Sequence, residues 1–186
     1  AFRDSYYKTR IAAARAAEER SLATAVPYLK FRAANDEVAA VKEASVKALG
    51  KIANGEAIDA LVELFSKKNN PDTIKIAAAQ MLMSIDASKY SSDIIKSYQE
   101  AKQQKQKALQ AGLVKVLGEG KAGNLKSLAQ ELLQSTDVVE LSYGLQLAKN
   151  NQFYDLEELI RPLLDEKKYG SLAIKAKETL DAMNLK

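Results

Sequence analysis

The sequence predicts an all-α protein, an α-α superhelix of about five antiparallel helix pairs plus one leading helix. Three observations predict it. An apolar pattern recurs about every 33 residues, clearest in Val41-Lys42-x-x-Ser45-x-x-Ala48-Leu49-x-x-Ile52 and Ile74-Lys75-x-x-Ala78-x-x-Met81-Leu82-x-x-Ile85. Apolar residues make up 47% of the 186 positions but aromatics only 6%, so Ala and Leu carry the core, as suits closely approaching helices. Gly (8) and Pro (3) are too few for a chain of many short strands and tight turns. A period of this length built from paired helices means units that pack only on their neighbours, not one closed core. The whole span 1–186 therefore reads as a single array. It starts at Ala1 with residues that already look helical, which favours a fragment of a longer chain over a processed mature one.

The elements follow from the breakers. Helices are expected at about 4–19, 21–33, 36–53, 56–68, 72–86, 92–102, 104–118, 122–134, 137–150, 153–166 and 170–183. Asn54-Gly55 reads as a C-terminal cap, and Asn70-Pro71-Asp72 opens a helix with Pro in its first turn. Ser91 or Ser92 starts the next, Gly118-Glu119-Gly120 ends another, and Ser135-Thr136-Asp137 begins the one after, which Asn150-Asn151 closes. Lys168-Tyr169-Gly170-Ser171 separates the last two. Short connections make consecutive helices antiparallel. In each pair a shorter helix A carries a stripe such as Ile58-x-x-Leu61-x-x-Leu64-Phe65 or Leu156-x-x-Leu159-Ile160-x-x-Leu163. Helix B follows it. One stripe cannot bury itself, but stacked pairs form a continuous core in which Leu49, Leu61 and Leu82 should be buried.

Val41-Lys42-Glu43-Ala44-Ser45-Val46-Lys47-Ala48-Leu49-Gly50-Lys51-Ile52 followed by Ala57-Ile58-Asp59-Ala60-Leu61 resembles the HEAT repeat, in the subclass first noted in phycobilin lyases. Ala25-Val26-Pro27-Tyr28-Leu29 matches the A-helix motif, including a proline that bends that helix in the family. The resemblance implies a HEAT-like solenoid and a ladder between units, made by an Asp before helix B and a basic residue six positions later. Asp36 and Lys42 fit that pattern, Asn69 and Lys75 fit it less well, and Gln104 and Gln110 hardly fit. The match is motif-level over about residues 22–86; beyond residue 104 it is one of period and apolar spacing. It also implies that helix B lines the concave side.

The charge is uneven. Lys96, Lys102, Lys105, Lys107, Lys115, Lys121 and Lys126 face only Glu100 and Glu119 in their stretch, which nets +5 and leaves −1 for the rest of a chain of net +4. This reads as a solvated helix pair, as a docking patch for an acidic protein partner, or as a nucleic-acid face. Tyr98 is the one aromatic in that stretch, so stacking on bases is poorly served and nucleic acid is disfavoured. The side chains of helix B between its core positions are candidates for a partner-binding groove: Lys42, Lys47, Lys75 and Gln80, joined by Lys105, Lys107 and Lys115. Lys42 and Lys75 compete for the ladder role, and Tyr143 reads as either core or groove. Five of the six arginines precede residue 33, beside the pair Tyr6-Tyr7.

Catalytic chemistry finds little support. Cys, His and Trp are absent, so no disulfide, Cys-based zinc site or imidazole base can form. Gly118-Glu119-Gly120-Lys121-Ala122-Gly123 has the G-x-G-x-x-G spacing, but a helix precedes it where a dinucleotide site needs a strand. Carboxylates look scattered over helix faces, and no metal or cofactor is expected. No apolar run is long enough to span a membrane. The chain reads as soluble, cytoplasmic or exported, with the lack of Cys leaning towards an oxidising compartment. The leading function is a non-enzymatic protein-interaction scaffold binding a partner on its helix-B surface. The alternative is a subunit of an enzyme, either bilin-lyase-like or a HEAT-like nucleic-acid-processing protein.

Overall fold

The computed structural model describes residues 1–184. Among them are eleven α-helices, joined by short turns and 3-10 segments, and no strand. The helices are α1 Tyr7–Glu19, α2 Val26–Asn35, α3 Ala39–Ile52, α4 Gly55–Ser66, α5 Asp72–Gln103, α6 Lys107–Gly118, α7 Lys126–Leu133, α8 Val138–Asn151, α9 Glu157–Ile160, α10 Glu166–Tyr169 and α11 Ser171–Ala182. The residues group into two compact units. The first comprises Ala1–Asp86 with Gln106–Gly112, the second Ala87–Lys105 with the stretch from Leu113 onward.

In the first unit α3 packs against α1, α2 and α4. Leu29, Val41, Ala48, Leu49 and Leu61 are fully enclosed, and Leu82 nearly so. Ser45 sits in this apolar seam because its hydroxyl donates to the Val41 carbonyl at 2.8 Å. In the second unit α8 packs against α7 and α11, around Leu113, Leu117, Leu132, Leu145, Leu147 and Ile160. Small residues set the close crossings of B helices. A Cβ on Gly112 of α6 would meet Ile76 Cγ1 of α5 at 2.6 Å, and one on Gly118 would meet the Tyr143 ring of α8, with Cγ at 3.0 Å. Tyr143 is thus a half-buried packing residue over Gly118.

Several boundaries differ from the sequence reading. Asn54 does not close α3. Ala53 does, with φ +47°, and Asn54 caps the start of α4 by accepting the Ala57 N–H at 2.8 Å. No break occurs at Ser91 or Ser92; α5 is instead interrupted at Asp86 (φ −155°, ψ 93°), and Ser91 is buried within a helical turn. Pro27 falls in the first turn of α2, where its missing N–H costs nothing, so it starts the helix rather than bending it. The stretch 153–166 is not one helix. It divides into a 3-10 turn Tyr154–Leu156, α9 and a second 3-10 turn Arg161–Leu164, with Pro162 at the start of the latter.

Candidate interaction surface

The B-type helices of the first unit build one surface. In α3 the inward positions Val41, Ser45, Ala48 and Leu49 leave Ala40, Glu43, Ala44 and Lys47 facing outward. With α1 they line a valley of about 470 Å³ that also holds Ile11, Arg15 and Glu18. On the other side of α3, Glu43 and Lys47 line a second valley of about 500 Å³ with Thr73, Ile76, Gln80 and Met81 of α5. The floors are apolar because Ala40, Ala44 and Ala77 are short and Ile11, Ile76 and Met81 lie only half-buried. The rims are charged, and that of the first valley leans acidic, with Glu18, Glu19 and Glu43 against Arg15 and Lys47; Lys47 reaches Glu18 across it at 3.4 Å.

The candidate residues separate by position. Lys47 and Gln80 line the valleys. Lys42 and Lys75, one repeat apart, turn to the backbone instead. Lys42 Nζ donates to the Ala34 carbonyl in the last turn of α2 at 3.3 Å, and Lys75 Nζ to the Lys68 carbonyl, in the turn that follows α4, at 2.8 Å. Lys105, Lys107 and Lys115 are exposed and have no ion pair among the described residues. Lys105 occupies the turn before α6 with φ +58°, and the other two lie on α6.

The ladder takes a different form from the one the resemblance implies. Asp36, fully buried, receives Arg10 of α1, not Lys42. Arg10 Nε and Nη2 each donate to a separate Asp36 oxygen at 2.8 Å, while Nη1 reaches the Asp4 and Ser5 carbonyls. Burial pushes the Asp36 carboxyl up, but hydrogen bonds from Arg10 and the Val38 N–H outweigh it and hold the group below its ordinary range. Arg32 Nη1 adds a longer contact to Asp36 at 3.3 Å, but only Arg10 engages both carboxylate oxygens, a match that a planar fork can make and an ammonium cannot.

A second buried carboxylate was not legible beforehand. Glu140, 5% exposed, accepts from Tyr98 Oη at 2.6 Å, Lys102 Nζ at 2.8 Å and Ser135 Oγ at 2.6 Å. It sits three residues after Asp137, which caps α8 through the Val139 and Glu140 N–H groups. Burial alone would raise the Glu140 carboxyl, yet Lys102, Ser135 and Tyr98 together lower it from 4.5 to about 2. Lys102 is therefore neutralised from a distance in sequence, as is Lys126, which pairs with Asp155. The run of seven lysines is less unbalanced than its own stretch suggests. Partners 29 to 42 residues away carry no local signal; only the S-T-D-x-x-E start of α8 hinted that Glu140 does more than face water.

The glycine-rich stretch is a stapled turn. Gly120 donates to the Leu117 carbonyl, while Asn151 of α8 accepts the Ala122 N–H at 2.7 Å and donates to the Gly120 carbonyl at 3.1 Å. The N–H groups of Glu119, Gly120 and Ala122 are thus spent on acceptors within the protein. Among the described residues no group of His, Cys, Asp or Glu is placed to hold a metal ion. No helix there is long and apolar enough to cross a membrane. Comparison with family models gives a match over residues 1–179 to the family described as spirochaete HEAT repeat protein. Comparison with curated proteins gives none.

Proposed function

Since the chain belongs to the spirochaete HEAT-repeat family, a helical repeat fold that is typically a non-enzymatic scaffold, we propose that it is a protein-interaction scaffold whose partner lies along the outward faces of α1, α3 and the start of α5. The observation that carries this reading is the pair of adjoining valleys that share Glu43 and Lys47. They combine an apolar floor with charged rims, the make-up of a recognition surface with a dry centre and a wet edge. Lys47 and Gln80 contact the partner directly. Lys42 and Lys75 shape the helix ends beside it.

In this reading the partner's acidic groups meet lysines outside the valleys, since the first valley is itself net negative. Lys105, Lys107 and Lys115 add unpaired positive charge and steer encounter more than they hold the complex. The test is capture from the native source with the valley floor filled by Ala44→Arg and Ala77→Arg. Capture of a stoichiometric protein should be lost while circular dichroism is unchanged. Undiminished capture by the folded double variant would remove the valleys from the mechanism.

A further inference from the structure

We propose that the cleft between α8 and α11 is a receptor for a carboxylate side chain of an acidic peptide, held by Lys149, Lys175, Gln146 and Ser142. This rests on the reading of the chain as a protein-binding array and gives that reading a second contact point, in the other unit. The cleft is small, about 280 Å³, and is lined by Gln146, Lys149, Asn150, Lys175, Glu178 and Thr179. In the first unit the cation of a B-helix valley meets a carboxylate, Lys47 against Glu18. Here one ammonium instead faces another. Neither Lys149 nor Lys175 has a carboxylate within ion-pair distance among the described residues. Burial, then the charge of Lys149, lowers the Lys175 ammonium below its ordinary value, with Glu178 opposing them.

Ser142 does not line the cleft itself but adds a directed donor beside Lys175. Lys175 Nζ donates to its Oγ at 2.6 Å. The hydroxyls of Ser45 and Thr179 spend their hydrogens on the carbonyl four residues back. Among the described residues the Ser142 hydroxyl donates to no such carbonyl and to no other acceptor, which leaves its hydrogen for a ligand, one helical turn from Gln146. Asn150 is already committed to the Gly118 carbonyl. Lys149, Lys175 and Glu178 sum to one positive charge, which a single carboxylate neutralises. A phosphate dianion would overshoot it and press on Glu178. No guanidinium fork or helix N-terminus lines the cleft to favour phosphate.

The experiment is fluorescence anisotropy of a fluorescein-labelled octaglutamate peptide with the full chain at low salt. Lys149→Met and Lys175→Met should each weaken binding by about tenfold and Ser142→Ala by about threefold, as expected for charge-assisted and neutral hydrogen bonds respectively. Lys167→Met with Lys168→Met, also in the second unit, should leave it within about twofold. Equal losses in both sets, or none in either, would overturn the assignment. If Lys175→Met fails to fold, Gln146→Glu serves instead: it puts a carboxylate at the cleft and should exclude the peptide, and unchanged affinity would sink the proposal. Inorganic phosphate displacing the peptide at about a tenth of the acetate concentration needed would overturn the choice of carboxylate. Cleft-dependent peptide binding in a protein whose capture ignores Ala44→Arg and Ala77→Arg would sink the valley reading and support the cleft.

Discussion

At Glu140 a carboxylate leaves water almost entirely and stays charged because three donors close on it. The consequence for pH follows from the direction of its shift. A carboxyl held lower in the folded than in the unfolded chain stabilises the fold above the unfolded value near 4.5, and that stabilisation fades as pH falls to about 2. Glu140→Gln should therefore destabilise the protein by roughly 2–3 kcal/mol at neutral pH. The deficit should shrink as acid is added, which urea melts at neutral pH and at about pH 3 would measure; a pH-independent deficit would mean that lost packing, not charge, is responsible. Gly112 gives a second residue-scale prediction. Alanine is the better helix former by about 1 kcal/mol, but its methyl would drive into Ile76, a β-branched side chain with little freedom to yield. Overpacking of that kind costs about 1–3 kcal/mol, so Gly112→Ala should be net destabilising in the same melts. Neither effect could be read from the sequence. The apolar positions Leu49, Leu61 and Leu82 were legible because periodicity alone buries them. Apart from Ser135, five residues before it, the partners of Glu140 come from another helix, as does Ile76 opposite Gly112, and their spacing in the chain encodes nothing local.

At the scale of the helix, the ends were the least legible part. Asn-Gly after Ile52 looked like a stop signal, yet the stop falls one residue earlier and Asn54 serves the next helix. The reason is that Asn can cap either end, by adopting a left-handed backbone or by offering a side-chain acceptor. Which role it takes depends on the chain path, not on its identity. The left-handed residues here are chiefly not glycines: Ser21 follows α1, Ala53 follows α3, Lys105 follows α5 and Gln152 follows α8. Each carries a Cβ in a backbone region that costs an L-residue about 1 kcal/mol or more. Ala53 has no side-chain polar group to offset that cost. Ala53→Gly should thus stabilise the protein by about 0.5–1 kcal/mol, visible as a higher midpoint in urea. A lower midpoint would show that the methyl contributes more to packing than it costs in strain.

For the molecule as a whole, the repeat was the readable feature and the choice of surface was not. A period of about 33 residues survives substitution because every unit must present the same apolar stripe, and so the match to the family extends well past residues 22–86, where the motif itself is sharp. The outward residues are under no such constraint. Lys42 and Lys47 look alike in sequence, but one satisfies a carbonyl and the other rims a valley, a difference set by five residues of helical rotation. Packing by neighbours also fixes where the fold opens first. α3 is covered by α1, α2 and α4, whereas α1 leans chiefly on α3; in the other unit α8 is held by both α7 and α11. Amide hydrogens should exchange slowest in α3 and α8, and faster in α1, which rests chiefly on one helix, and in α11, whose neighbours other than α8 are the short segments between Glu157 and Tyr169; a helix without long partners on both sides can detach without breaking the rest. Hydrogen exchange followed by mass spectrometry would resolve this helix by helix. Uniform protection across all four would mean that the chain opens as one cooperative body, and the nearest-neighbour account of its stability would have to be abandoned.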